Sequence, residues 1–224
     1  PPPPQQPVAD SSPPPPRYRV EFCHPSAAPA AAAAPAAPAH PHSRDSPFRA
    51  AVLSNRPLTP AGASREVRHI ELNLVGSGLE SYTPGDALAV QPRNSTAAAE
   101  GLARVLGFDP SSTIVIEPAV PHAPAPLRSV LTVGELFAAQ LDAFGVPRRR
   151  FFALLAHFAS DPMQATRLGE FGSPSGTAGR DEYATRPRRT YAEVLADFRS
   201  ARPPLAYFLD LIPPLRERYF SLAS

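Results

Sequence analysis

The chain contains no lysine: all 22 of its basic side chains are arginine, set against 20 acids, for a formal net charge of +2. With so small an excess and no basic face or recognisable motif, the sequence gives no footing for nucleic-acid binding. Cysteine is nearly as scarce. The single Cys23 rules out an internal disulfide framework and a multi-cysteine metal site. No apolar run approaches the ~20 residues of a membrane-spanning helix. The opening Pro-Pro-Pro-Pro-Gln-Gln has neither the apolar core nor the basic lead of a signal peptide. These absences predict a cytoplasmic, reducing setting with no membrane. The six histidines show no metal-ligand spacing, and there is no internal repeat and no serine–histidine–acid grouping. No glycine-rich phosphate-binding fingerprint occurs.

Proline is what the first part of the chain has in excess. Residues 1–46 hold 14 of the 32 prolines and an alanine–proline tract from Ala27 to Pro41. Such a segment buries too little apolar surface to offset its ordering entropy, so 1–46 is expected to be a disordered linker. Within it, Arg17-Tyr18-Arg19-Val20-Glu21-Phe22 alternates polar and apolar residues in the manner of a short edge strand, and Pro13–Pro16 would suit a proline-binding module. From Pro47 the composition changes. Ala50–Leu53 is expected as a strand, followed by a turn at Asn55-Arg56-Pro57. A second strand falls within Arg65–Val75, with Ile70, Leu72 and Leu74 on one face. Tyr82-Thr83-Pro84-Gly85-Asp86 places proline and glycine where a type II turn needs them, and a third strand, Ala87–Gln91, follows.

The middle of the chain reads as helical. Ser95 is placed to cap a helix running to Leu106, and Ile114–Ile116 is a brief strand. Thr132-Val133-Gly134-Glu135 and Thr190-Tyr191-Ala192-Glu193 are capping boxes. Pro147 sits at a helix start before an apolar stripe of Phe151, Leu154, Leu155 and Phe158. Leu205, Phe208, Leu209 and Ile212 mark a last short helix stopped by Pro213-Pro214. The pattern predicts a mainly β fold with a helical insertion, namely an incomplete antiparallel barrel interrupted after its third strand. Its parts are 1–46 linker, 47–94 first part of the barrel, 95–216 mostly helical, and 217–224 a returning strand.

That returning strand, Arg218-Tyr219-Phe220-Ser221-Leu222-Ala223-Ser224, suits contact with a flavin. A guanidinium fork matches phosphate oxygens, a flat ring covers a flavin by offset stacking, and a serine hydroxyl serves its polar edge. Residues 47–224 resemble the FAD-binding region of the diflavin reductases, the family of cytochrome P450 reductase. The resemblance is carried by Pro47-Phe48 to Leu53 with Asn55-Arg56 and Leu58-Thr59; by Tyr82, Pro84-Gly85-Asp86, Val90, Pro92 and Asn94; and by Phe151 to Phe158. Arg186-Pro187-Arg188-Arg189-Thr190 with Glu193-Val194-Leu195 and Asp197-Phe198, Asp210 to Arg216, and the final strand point to the branch that serves cytosolic iron–sulfur protein assembly.

The resemblance implies an NADPH-dependent oxidoreductase. FAD would be held in part by Arg188, Arg218, Tyr219, Phe220 and Ser221, and Arg56 would stand near NADP. FMN and NADPH would bind domains that the chain lacks, an iron–sulfur cluster assembly protein would accept the electrons, and the chain would be a fragment, inactive alone. Arg188 precedes the helix capped by Thr190, whose free N–H groups and positive dipole end would favour a phosphate. Strand alternation sets Arg218 and Phe220 on one face and Tyr219 and Ser221 on the other, so all four are retained as cofactor-proximal. The sequence departs from the family at Phe220, where many relatives have tyrosine, and in the glycine- and serine-rich Gly172–Arg180. Two alternatives remain: a P450-reductase-type enzyme with another acceptor, and a non-catalytic proline-rich interaction protein with a vestigial flavin fold.

Overall fold

The computed structural model describes residues 12–23, 47–124 and 129–222. It divides into a helical unit, drawn from residues 1–32 and 92–215, and a strand unit, drawn from residues 33–91 and 216–224. The linker tract from Ala27 to Pro41 lies outside the described residues.

The helical unit opens with strand β1 (Tyr18–Phe22) and continues with helix α1 (Thr96–Val105) and strands β5 (Thr113–Pro118) and β6 (Val130–Thr132). Three strands of the strand unit, β2 (Ala51–Pro57), β3 (Arg68–Asn73) and β4 (Ala87–Val90), intervene in the chain. β1, β5 and β6 form one antiparallel sheet in that order. The helices after β6 are α2 (Val133–Glu135), α3 (Arg149–Leu155), α4 (Pro162–Gly172), α5 (Thr177–Arg180), α6 (Tyr191–Asp197) and α7 (Leu205–Leu211). Their apolar stripes meet in a core centred on Phe137, Phe152, Phe171 and Phe208, all fully buried. The rings pack edge to face, Phe137 on Phe208 at 5.6 Å and Phe152 on Phe171 at 5.4 Å between centroids, the arrangement their quadrupoles favour. The close approach of α4 to α3 depends on Gly172, where a Cβ would fall 2.6 Å from the Ala153 backbone.

Two expected helix starts differ in detail. Ser95 stands at the start of α1 but its side chain makes no capping bond. Thr132 accepts from the Glu135 N–H at 3.2 Å, yet Glu135 does not complete the box, because Arg93 takes both oxygens of its carboxylate at 3.0–3.1 Å. α4 was not anticipated, although its start carries a legible signal. Asp161 accepts from the N–H groups of Met163 and Gln164, and Pro162 occupies the first turn, where its missing donor does no harm.

After α2 the helix widens into a π-turn over Leu136–Gln140, and its carbonyls receive the chain on both sides of the unit. Inbound, Asn94 donates its backbone N–H to Ala138 and its side-chain amide to the carbonyls of Phe137 and Leu141. Outbound, the Leu215 N–H donates to the Gln140 carbonyl at 2.8 Å, and the Asp142 N–H donates to Pro213.

Within 1–46, expected as linker, Tyr18–Phe22 is an ordered strand, as its alternation indicated. Its fastening is more than sheet pairing. Arg17 donates its backbone N–H and Nε to the two oxygens of the nearly buried Asp210 carboxylate on α7. Buried Tyr18 donates its hydroxyl to the Pro124 carbonyl at 2.9 Å.

The strand unit consists of two antiparallel ladders, β2 (Ala51–Pro57) with β3 (Arg68–Asn73) and β4 (Ala87–Val90) with β7 (Arg218–Ser221). Among the described residues no sheet closes into a barrel. The turn expected at Asn55-Arg56-Pro57 is instead the second half of β2, paired with Ile70, His69 and Arg68. A bulge between Val52 and Ser54 bends the strand so that it continues. Arg68 then braces it, donating Nε to the Asn55 side chain at 2.6 Å. The Pro84-Gly85 turn forms as expected, with Gly85 at φ 99° and the Asp86 N–H donating to Thr83. Apolar faces are present but uncovered: Val52, Leu53, Ile70 and Val90 are exposed, and among this unit's described residues only Ser77 is buried.

Phe152→Ala is expected to destabilise the helical unit by about 3–5 kcal/mol, measured by urea unfolding. Asp210→Ala is expected to release β1 and speed tryptic cleavage after Arg19 by roughly ten- to a hundredfold, the range for losing a charge-assisted hydrogen bond. An unchanged cleavage rate would show that sheet pairing alone holds the strand.

Candidate functional site

Strand β7 places the four sequence-predicted residues on one ladder. Arg218 lies opposite Val90, Tyr219 opposite Ala89, Phe220 opposite Leu88 and Ser221 opposite Ala87. The ladder runs on beyond the strand ends, through Gly85 N–H to the Leu222 carbonyl and Leu222 N–H to Asp86. Residues two apart on a strand share a face about 6.5–7 Å apart, so Arg218 and Phe220 stand side by side and Tyr219 and Ser221 point the other way. All four are exposed, Tyr219 at 70% and Phe220 at 55%. The Arg218 guanidinium has no hydrogen-bond or ion-pair partner among the described residues. An open cationic fork beside an uncovered ring is a donor set suited to a ligand that joins an anionic phosphate to a flat ring system.

Arg56 lies on β2 opposite His69 and is likewise exposed. His69 turns to Glu71 at 2.9 Å, leaving the Arg56 side chain without a described partner. No group of three or more potential metal ligands occurs among the described residues.

Arg188 belongs to the helical unit, in the turn between the π-helical Asp181–Thr185 and α6. The phosphate site expected at free N–H groups of α6 does not exist. Tyr191 N–H donates to Gly145, Ala192 N–H to Ala143, and Glu193 N–H to the Thr190 hydroxyl. Glu193 in return accepts from the Thr190 N–H at 2.7 Å, completing the capping box. Every donor of the first turn is consumed within the fold, so an anion here would have to be met by exposed side chains such as Arg186 and Arg188, neither of which has a partner among the described residues.

The turn itself is heavily braced. Arg188 has φ 57° and is the only described residue other than glycine with a positive φ. Before it, Arg186 N–H donates to Asp181; Arg188 N–H itself donates to Thr185 and Arg189 N–H to Ala184, the paired bonds of a helix C-cap with a left-handed residue. After it, Arg189 lies over the Tyr183 ring at 4.5 Å, donates Nε to the Tyr183 carbonyl, and pairs with Asp197 at the end of α6. The Tyr183 hydroxyl donates to the same Asp197 carboxylate at 2.7 Å, while its ring stacks on Phe171 at 4.9 Å. Burial, then the hydrogen bond to Asp197, push the Tyr183 phenol far above its ordinary range, so it remains a neutral donor. Sequence reading missed Tyr183, which falls in no motif, and had Asp197 only as part of the family resemblance, with no partner assigned to it.

The FAD binding domain family matches residues 40–224. Over 188 residues the chain is 41% identical to the NADPH-dependent diflavin oxidoreductase 1 of Xenopus laevis, an overlap covering 82% of this chain and 31% of that protein. The Bos taurus protein of the same name is 39% identical, with the same 82% and 31% coverage. The sulfite reductase (NADPH) flavoprotein component of Saccharomyces cerevisiae is 30% identical over 177 residues, 79% of this chain and 17% of that protein. The chain therefore spans about a third of the length of the diflavin oxidoreductases it matches.

The capping box sets a pH dependence. Chiefly the hydrogen bond from the Thr190 N–H holds the Glu193 carboxyl below its ordinary value. A carboxyl depressed on folding contributes fully above the ordinary glutamate value of about 4.3, and its contribution fades as pH falls through the lower folded value. Amide exchange at Thr190 is expected to accelerate across that window and to be nearly pH-insensitive, beyond intrinsic chemistry, in Glu193→Gln. Thr190→Ala should cost about 1 kcal/mol in urea unfolding.

Proposed function

The chain belongs to the FAD binding domain family, and from that premise we propose that it supplies one wall of the FAD site, and the helical spacer between flavins, of an NADPH-dependent diflavin reductase. In this reading the whole protein carries electrons from NADPH through FAD and FMN to an iron–sulfur cluster assembly protein in the cytoplasm, chemistry that the cofactors themselves supply. The names of the relatives support the diflavin and NADPH parts. The acceptor is inferred from the motifs around Arg186–Thr190 and Asp210–Arg216. The strand unit and β7 would hold the flavin, residues 95–216 would set spacing, and the tract before Pro47 would link to an FMN-binding domain.

The observation that carries the proposal is the face of β7 on which an unpartnered arginine adjoins an uncovered phenylalanine. Arg218 would bind a phosphate with its fork, and Phe220 would cover the isoalloxazine ring. Phenylalanine stacks without offering a hydroxyl, so polar contacts would fall to Ser221 and to backbone groups. Tyr219 and Ser221, on the opposite face, would border the cofactor rather than lie under it. Arg188 is proposed as a further phosphate ligand and Arg56 as the residue nearest NADP, both by resemblance. No helix among the described residues is long and apolar enough to cross a membrane.

FAD titration followed by flavin fluorescence tests the assignment. Arg218→Ala is expected to weaken FAD binding at least about tenfold, the scale of a charge-assisted phosphate contact. Phe220→Ala should weaken it by roughly three- to tenfold and restore flavin fluorescence lost to stacking. Unchanged affinity in both variants would remove β7 from the cofactor site.

A further inference from the structure

We propose that the start of α3 and the turn before α6 together form a docking surface for a carboxylate-rich segment or face of another protein. Arg148, Arg149, Arg150, Arg186 and Arg188 are all exposed, and none of their side chains makes a hydrogen bond or ion pair among the described residues. Every other described arginine between Pro92 and Leu215 bonds within the fold, to a carboxylate, a carbonyl or a hydroxyl. The free guanidinium groups of this stretch are thus gathered in one place. The two segments that carry them are packed together. Ala143 and Gly145, just ahead of α3, accept the N–H groups of Ala192 and Tyr191 at 3.0 Å. The Tyr191 ring meets Phe151 edge-on at 4.8 Å, and its hydroxyl feels the Arg148 charge. On the other side of the turn, Tyr183 packs on Phe152 at 6.4 Å between centroids.

α3 begins with cations where its dipole favours anions. Arg148 is the N-cap residue, Arg149 and Arg150 open the first turn, and no acid stands with them. The fold gains nothing locally from three like charges at that end, and departures of this kind from local preference gather at functional sites. Nearby acids are committed elsewhere: Glu193 to the Thr190 box, Asp197 to Arg189 and Tyr183, and Asp181 to the Thr185 hydroxyl. The chemistry of the partner follows from what surrounds the arginines. Neither segment exposes a large apolar side chain, so there is no ring for base stacking and no wedge for a bilayer. Asp142 and the exposed Glu182 lie among these cations, and the formal net charge is only +2, a poor match for a nucleic-acid backbone. A guanidinium fork takes a carboxylate in two parallel bonds, and several such forks steer an acidic protein to the surface.

Binding of a fluorescein-labelled oligoglutamate peptide, followed by anisotropy at low salt, tests the surface. Three forms of the chain are compared: unsubstituted, Arg149→Glu/Arg150→Glu/Arg186→Glu, and Arg19→Glu/Arg49→Glu/Arg65→Glu, which makes the same change of net charge at exposed arginines elsewhere. The first triple variant is expected to weaken binding about tenfold or more and the second less than about threefold, with the unsubstituted chain losing affinity as salt rises. Without peptide, Arg149→Glu/Arg150→Glu is expected to raise the melting temperature by about 1–4 °C, because acids complement the α3 dipole. Equal losses in the two triple variants would overturn the surface, since net charge alone would then account for binding, and so would an unsubstituted chain that does not bind. A fall in melting temperature would show that the arginines serve the fold and would likewise overturn it. An RNA duplex or a phosphatidylserine vesicle that displaces the peptide at a lower concentration of charge would overturn the carboxylate partner in favour of a phosphate one. Arg188 stays in place throughout, so the outcome is separate from its proposed contact with FAD.

Discussion

A helix that widens for one turn leaves carbonyl groups pointing where an α-helix would have used them itself. At Leu136–Gln140 those groups are not lost to solvent. They accept from Asn94 as the chain comes into the helical unit and from Leu215 as it leaves. Both ends of the unit are thus fixed to the same five-residue stretch and its neighbours Leu141 and Asp142. Beyond Pro92 on one side and Arg216 on the other lie the two strands that pair as β4 and β7. The chain therefore enters and leaves the helical unit at adjoining hydrogen bonds.

Stability is unevenly distributed across the chain. The helical unit holds the interlocked phenylalanines and almost every buried side chain, whereas the strand unit keeps its ladders together by backbone pairing, a bulge and side-chain braces such as Arg68 on Asn55. Small antiparallel ladders without a covered face are marginal in water.

How much of this was legible depended on whether the deciding partner lay nearby in sequence. The Thr190–Glu193 box was readable and is complete, since both partners lie within one turn and nothing competes for Glu193. The identical spacing at Thr132–Glu135 is only half made, because Arg93 takes the carboxylate from forty residues upstream. Alternation showed β1, but nothing local announced that Asp210 would receive Arg17. The Asp161-Pro162 start was there to be read. Asn55-Arg56-Pro57 misled for a physical reason: turn formers can sit in a strand when a bulge and a cross-strand arginine support them. The left-handed backbone of Arg188 carried no residue signal, because the helix end is capped by backbone bonds from Arg188 to Thr185 and from Arg189 to Ala184 with arginine where glycine is usual.

The fastening of both chain ends to the π-turn has a kinetic corollary. Pairing β4 with β7 directly from the unfolded chain requires closing a loop of well over a hundred residues, which is slow because closure entropy must be met before any ladder bond forms. Once the helical unit has folded, its inbound and outbound segments are already held together, and the remaining closure is that of a short loop. Folding is therefore ordered from the helices outward. Pulsed hydrogen exchange would register it as protection at Phe152 and Leu168 before protection at Leu88 and Phe220.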